Sequence, residues 1–158
     1  MILSFFQWMN NLAFSKALSA SVWQYAVIQA LHLVFLGVFA GAVLMVDLRL
    51  MGRALKDRPT ADVARGAQPW LILGLLGLTA TGVPQLMQNA MREYYSQLFW
   101  IKMVFLVLAL IFTATLRRTV ALAGEADAGV FKTRAVGLVS AFLWLMVAAP
   151  ARLIGLFS

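Results

Sequence analysis

The chain has 158 residues, of which 63% are hydrophobic and 12% are charged, whereas a soluble domain has about 25% charged residues. The absence of cysteine excludes disulfides, thiolate metal sites and iron–sulfur clusters on this chain. The net charge of +7 lies mainly in loops between apolar segments, which signals membrane topology and argues against a nucleic-acid surface.

The first segment, Met1–Ala20, ends in Ala17-Leu18-Ser19-Ala20, a sequence like a signal-peptidase site, but it has no positive n-region. Ser4, Gln7, Asn11 and Ser15 form a polar stripe at helical spacing, with Phe5, Trp8, Met9 and Leu12 largely on the other side. The spacing predicts an amphipathic interfacial helix over residues 1–20 that anchors the chain on the outer membrane surface. A lid over a pocket and a docking face for a partner are the other roles open to it.

The first predicted span runs from about Val22 to Leu48 and contains His32, the only histidine. At ~1.5 Å per residue, His32 lies ~15 Å deep, near the middle of a hydrocarbon core ~30 Å thick. An ionisable group at that depth cannot snorkel and marks a functional site by default, and imidazole is a common metal and haem ligand. A structural hydrogen bond is the plainer alternative. Gln29 and Tyr25, one and two turns earlier, are expected on the same face. Gly37 and Gly41 form a GxxxG pattern that predicts close helix contact, within the bundle or between chains. Asp47 and Arg49 close the span, with Asp47 expected to pair with a basic neighbour.

The linker Lys56–Asp62 contains a helix start at Pro59 or Thr60, read as a short cytoplasmic helix. The second span, about Pro69–Met91, carries Gly74, Gly77, Gly82 and Pro84, which predict a close contact and a kink. It ends with Gln85, Met87, Gln88 and Met91. The third span, about Gln97–Leu116, has Lys102 five residues in, followed by Met103. Gly124–Gly129 reads as a polar turn. The fourth span, about Phe131–Leu153, has Arg152 near its end.

These elements make a single membrane domain over residues 1–158: an all-α, integral four-transmembrane-helix bundle. The two loops, Arg49–Ala67 and the one after the third span with Arg117, Arg118, Lys132 and Arg134, hold nine basic residues, against four (Lys16, Arg92, Lys102, Arg152) on the opposite side. The positive-inside rule therefore predicts a bacterial inner-membrane protein with both termini on the periplasmic side. Antiparallel packing would bring His32, Gln29, Tyr25, Lys102, Arg152, Met87, Met91 and Met103 to the outward half. Snorkelling explains Lys102 and Arg152 equally well, as packing explains the methionines. No Gly-rich phosphate loop or HExxH is present, and no Ser/His/Asp constellation assembles.

Leu31-His32-Leu33-Val34-Phe35-Leu36-Gly37-Val38-Phe39-Ala40-Gly41 resembles the histidine-bearing first helix of two bacterial membrane families, copper-resistance protein D and the HemJ type of protoporphyrinogen oxidase. Tyr94-Tyr95-Ser96-Gln97-Leu98-Phe99-Trp100-Ile101-Lys102-Met103 resembles their helix with a lysine near its outer end. A related four-helix family of unknown function is similar in overall layout and shares the ending Asp47-Leu48-Arg49-Leu50-Met51-Gly52. The HemJ resemblance implies b-type haem or porphyrin chemistry at His32 and Lys102. HemJ-type proteins carry further histidines, whereas Ile111–Leu116 here has none, so bis-histidine ligation within one chain is excluded. The copper-resistance resemblance implies copper handling at the outer side, where Met87, Met91 and Met103 suit soft Cu(I), with His32 deeper.

The residues thus point first to a redox-associated protein whose cofactor (haem b, a porphyrin or a quinone) meets His32, with Lys102 and Arg152 pairing with propionates or polarising a carbonyl. Copper binding or transport is the alternative. A third reading is a non-catalytic accessory subunit, buried in a homo-oligomer or larger membrane complex.

Overall fold

The computed structural model describes residues 1–156, without the side chains at 19, 125–127 and 151–156. The described residues form helices joined by short turns and one longer loop at 51–59, and contain no strand. The helices are α1 (Ile2–Asn11), α2 (Ala13–Ala20), α3 (Val22–Leu50), α4 (Thr60–Gln88), α5 (Ala90–Tyr95), α6 (Gln97–Phe112), α7 (Arg118–Ala128) and α8 (Val130–Leu156), with a π-helical turn, Thr113–Arg117, joining α6 to α7. Four stretches are long and apolar enough to cross a membrane: Val22–Leu50, Thr60–Gln88, Gln97–Gly124 and Val130–Pro150. Large apolar side chains face outward along them, including Leu33, Val34, Leu76 and Leu145. Such a surface needs lipid around it, and the chain is a multi-pass membrane protein.

Local chemistry sets the helix limits. Ser21 and Ser96 cap α3 and α6, their hydroxyls accepting from the backbone N–H of Gln24 and Phe99. At the other end of α3, Gly52 takes φ +68°. Its N–H donates to Arg49 O at 3.0 Å and that of Arg53 to Leu48 O at 2.9 Å, a Schellman stop that favours glycine at this position.

Several boundaries differ from the sequence reading. Thr60 begins α4 itself, so the expected short cytoplasmic helix is the first part of the second span, and Pro69 lies inside it. The third span continues through the π-helical turn to Gly124, which carries Arg117 out of the expected loop and into the bundle. Residues 1–20 form two helices broken at Leu12, whose ψ of 142° is extended. Phe6, Met9, Ser15 and Leu18 are buried while Phe5 and Trp8 are exposed, so the polar and apolar stripes do not divide as the spacing predicted. Ser15, from the polar stripe, donates to the carbonyl of Met87 at 2.9 Å.

Helix α3 packs against α4 and α8, α6 against α8, and α7 against α4. Ala42, Val46, Leu50, Val63, Ala67, Val120, Ala121 and Val136 form the core at the arginine-rich end. At the opposite, capped end, α1 packs on α5, and Phe6 and Met9 meet Ala90 and Phe99. The close contacts run through Gly74 and Gly77 of α4 and Gly137 of α8. A Cβ on Gly74 would lie 2.7 Å from Phe39 Cβ, one on Gly77 would overlap the Phe35 ring, and one on Gly137 would lie 2.9 Å from Leu50 Cβ. Gly37 and Gly41, in contrast, have nothing within 4 Å of an added Cβ. The GxxxG pattern therefore makes no close helix contact among the described residues: it borders an open space beside α4.

Candidate functional site

His32 projects from the first half of α3 toward α4. Its ring lies against Gly82, where an added Cβ would come within 3.3 Å of Cε1. Nδ1 is 2.7 Å from Thr81 Oγ1, and Thr81 Oγ1 is 2.7 Å from the carbonyl of Gly77. The second contact assigns the protons. A carbonyl only accepts, so the single hydroxyl proton of Thr81 lies toward Gly77 O. The proton between Thr81 and His32 then comes from the imidazole. Neutral His32 is accordingly the Nδ1–H tautomer, and its Nε2 carries a lone pair. This is the arrangement by which a hydrogen bond at one ring nitrogen orients the other for ligation or proton acceptance.

Lys102 of α6 is half-buried and within electrostatic range of His32. Its Nζ sits 5.2 Å from the centre of the Phe99 ring, a cation–π contact that helps hold an ammonium in apolar surroundings. Tyr25 is half-buried and Gln29 is exposed. Seven residues bring Tyr25 to nearly the same angle as His32, whereas three leave Gln29 about 60° around the helix. The side chain of Arg152 lies outside the described residues.

Met87, Met91 and Met103 all pack against the cluster of Phe6, Met9, Ala90 and Phe99 at the capped end. Met9 joins them from α1, a residue the sequence reading had assigned to a membrane-surface stripe. Gln85 Nε2 donates to Thr81 O at 3.2 Å, so the polar residues that end α4 follow on from the histidine contact. No group of three His, Cys, Asp or Glu side chains able to hold a metal occurs among the described residues. The donors at this end include one imidazole and several thioethers, which suit a soft metal, together with the buried side-chain oxygens of Gln88 and Glu93.

A second polar centre lies at the arginine-rich end. Arg117 Nε donates to Asp47 Oδ1 at 2.7 Å and Nη2 to Val43 O at 3.0 Å. Asp47 and Arg117 are 0% and 3% exposed. Asp47 does pair with a basic residue, but with one that is remote in sequence. The hydroxyl of Ser140 is buried beside the Asp47 carboxylate. The π-helical turn shifts the register of α6 where Arg117 faces α3, and Trp144 Nε1 donates to Thr113 Oγ1 at 3.2 Å within the same turn. Arg49, also buried, donates from Nε to Arg58 O at 2.8 Å and ties α3 to the loop before α4.

Sequence reasoning did not find Thr81, Arg117 or Met9. Thr81 alone left a trace: four residues after Gly77, it belongs on the same contact face of α4. No curated protein and no solved structure matches the chain. Residues 5–158 match a family of unknown function, DUF6644, and the chain belongs to that family.

Proposed function

We propose that this is a redox-associated protein of the bacterial inner membrane, with both termini periplasmic, that binds a haem b-type cofactor through Nε2 of His32. The hydrogen bond from Nδ1 to Thr81 is the observation that carries this reading. It orients the ring, fixes the tautomer and leaves a nitrogen lone pair within an apolar bundle, as holding a haem iron would require. Lys102, on a different helix but within range of His32, supplies a cation suited to a propionate. Bound haem would supply one-electron chemistry. The chain's own contributions are the ligand nitrogen, its orientation by Thr81, a compensating positive charge and the exclusion of water.

Visible spectra of protein purified gently from membranes test this reading. Wild-type protein should show a Soret band, with an α-band that sharpens on dithionite reduction, and His32→Ala should lose both. A featureless wild-type spectrum from folded protein, or an unchanged spectrum in His32→Ala, overturns the assignment.

The shared packing of Met9, Met87, Met91 and Met103 supports a second reading, Cu(I) binding at the capped end. Under it, Met87→Leu with Met91→Leu weakens Cu(I) binding in a competitive titration and leaves the helical content intact. Unchanged affinity in that double variant counts against copper.

A further inference from the structure

On the lipid-facing side of the bundle, α3 and α4 leave an open groove toward the arginine-rich end. The helices are in closest contact where Gly74 meets Phe39 and Gly77 meets Phe35, and nearer the arginine-rich end a space of about 620 Å³ lies between them. That size falls within the ~300–1,000 Å³ range of small-ligand pockets. Gly37 and Gly41 from α3 and Gly66 and Trp70 from α4 line it, with Arg58 and Asp62 at its polar end. An added Cβ at Gly37, Gly41 or Gly66 would meet nothing within 4 Å, so the groove owes its depth to missing side chains that no protein atom replaces.

We infer that this groove is a binding site for an anionic phospholipid, with an acyl chain along the glycines and Trp70 and the phosphate on Arg58. Two independent features select this occupant. The walls are apolar and open onto the hydrocarbon layer, so an acyl chain is the matching material already in contact with them. The mouth is charged: Asp62 is within 3.5 Å of Arg65, while the Arg58 guanidinium has no ion-pair partner among the described residues. The backbone of Arg58 is held from within, because its carbonyl accepts from the buried Arg49, and its side chain reaches the exposed surface. An arginine without an ion-pair partner above an apolar slot complements a phosphodiester joined to an acyl chain. The site lies away from the His32 region and is independent of any cofactor there.

Trp70 provides a direct reporter. The full-length protein is reconstituted in phosphatidylcholine vesicles containing either dibrominated phosphatidylglycerol or dibrominated phosphatidylcholine at equal mole fraction. Quenching of Trp70 is read as the difference between wild type and Trp70→Phe. Half-maximal quenching should require about fivefold less brominated phosphatidylglycerol than brominated phosphatidylcholine, the effect of one arginine near an anionic headgroup at about 1 kcal/mol. Arg58→Gln, a change at an exposed position, should remove the preference, and Gly41→Leu should remove quenching by both lipids. Equal quenching by the two lipids in wild type overturns the proposal, as does a preference that survives Arg58→Gln. If Trp70 resists quenching and Gly41→Leu converts a dimer to a monomer in detergent, a second copy fills the groove and the lipid assignment falls.

Discussion

Arg117 and Asp47, 70 residues apart in sequence, meet at 2.7 Å in the interior of the bundle, one from the π-helical turn after α6 and the other from the last turns of α3. Neither side chain reaches solvent, so the pair joins two helices where apolar side chains would otherwise meet. Its value depends on both members being present. Removing one leaves an uncompensated buried charge, at about 3–5 kcal/mol, whereas replacing both with apolar residues is often close to neutral. Asp47→Leu and Arg117→Leu should each lower the unfolding midpoint in mixed micelles strongly, and the double variant should recover most of the loss. Additive losses in the double variant would show that the pair does not act as a unit.

Thr81 sets the His32 tautomer, and the single histidine makes this directly measurable. Protein labelled with 15N-histidine should give one pair of ring resonances, with Nδ1 protonated and Nε2 bare. Thr81→Val keeps the shape of the residue but removes the hydroxyl, and it should shift the population toward the Nε2–H tautomer. A wild-type ring protonated at Nε2 would overturn the proton assignment, and with it the support for ligation through that nitrogen.

The glycines of α3 and α4 have opposite roles. Gly77→Ala places a Cβ into the Phe35 ring and should cost about 1–3 kcal/mol, the usual penalty for overpacking a close contact. Gly37→Ala meets open space and should be neutral or stabilise by up to about 1 kcal/mol through helix propensity. Thermal unfolding of the two variants in the same detergent separates the cases. Similar losses at both sites would mean that Gly37 faces a partner helix.

Helix α1 is docked through one side only. Met9 is 6% exposed and Trp8 58%. Met9→Ala should therefore destabilise the capped end by about 2–5 kcal/mol, as for other buried methionines. Trp8→Ala should have little effect on stability and should act mainly on membrane partitioning. Amide hydrogen exchange in α1 distinguishes them: faster exchange throughout α1 in Met9→Ala, and near wild-type protection in Trp8→Ala.

Hydropathy and length determined the four apolar helices and so placed the two basic loops at one end of the bundle, because transfer from water to hydrocarbon depends on local composition. The same logic singled out His32, since an ionisable group in an apolar run is costly wherever that run packs. Spacing on α4 also indicated the close contact at Gly74 and Gly77. What composition could not determine was which faces meet. Gly37 and Gly41 have the same pattern as a packed pair, yet they border an open groove between α3 and α4, because the two helices meet closely only at Gly74 and Gly77. Arg117 looked like a loop cation until the third helix proved long enough, through its π-helical turn, to carry it to Asp47. Thr81 and Met9 acquired their roles only when α3 met α4 and α1 met α5. A segment's affinity for the bilayer is a sum over its own residues, and sequence determines that. A hydrogen bond or buried ion pair depends on the relative rotation and register of two helices, and only the assembled bundle decides those.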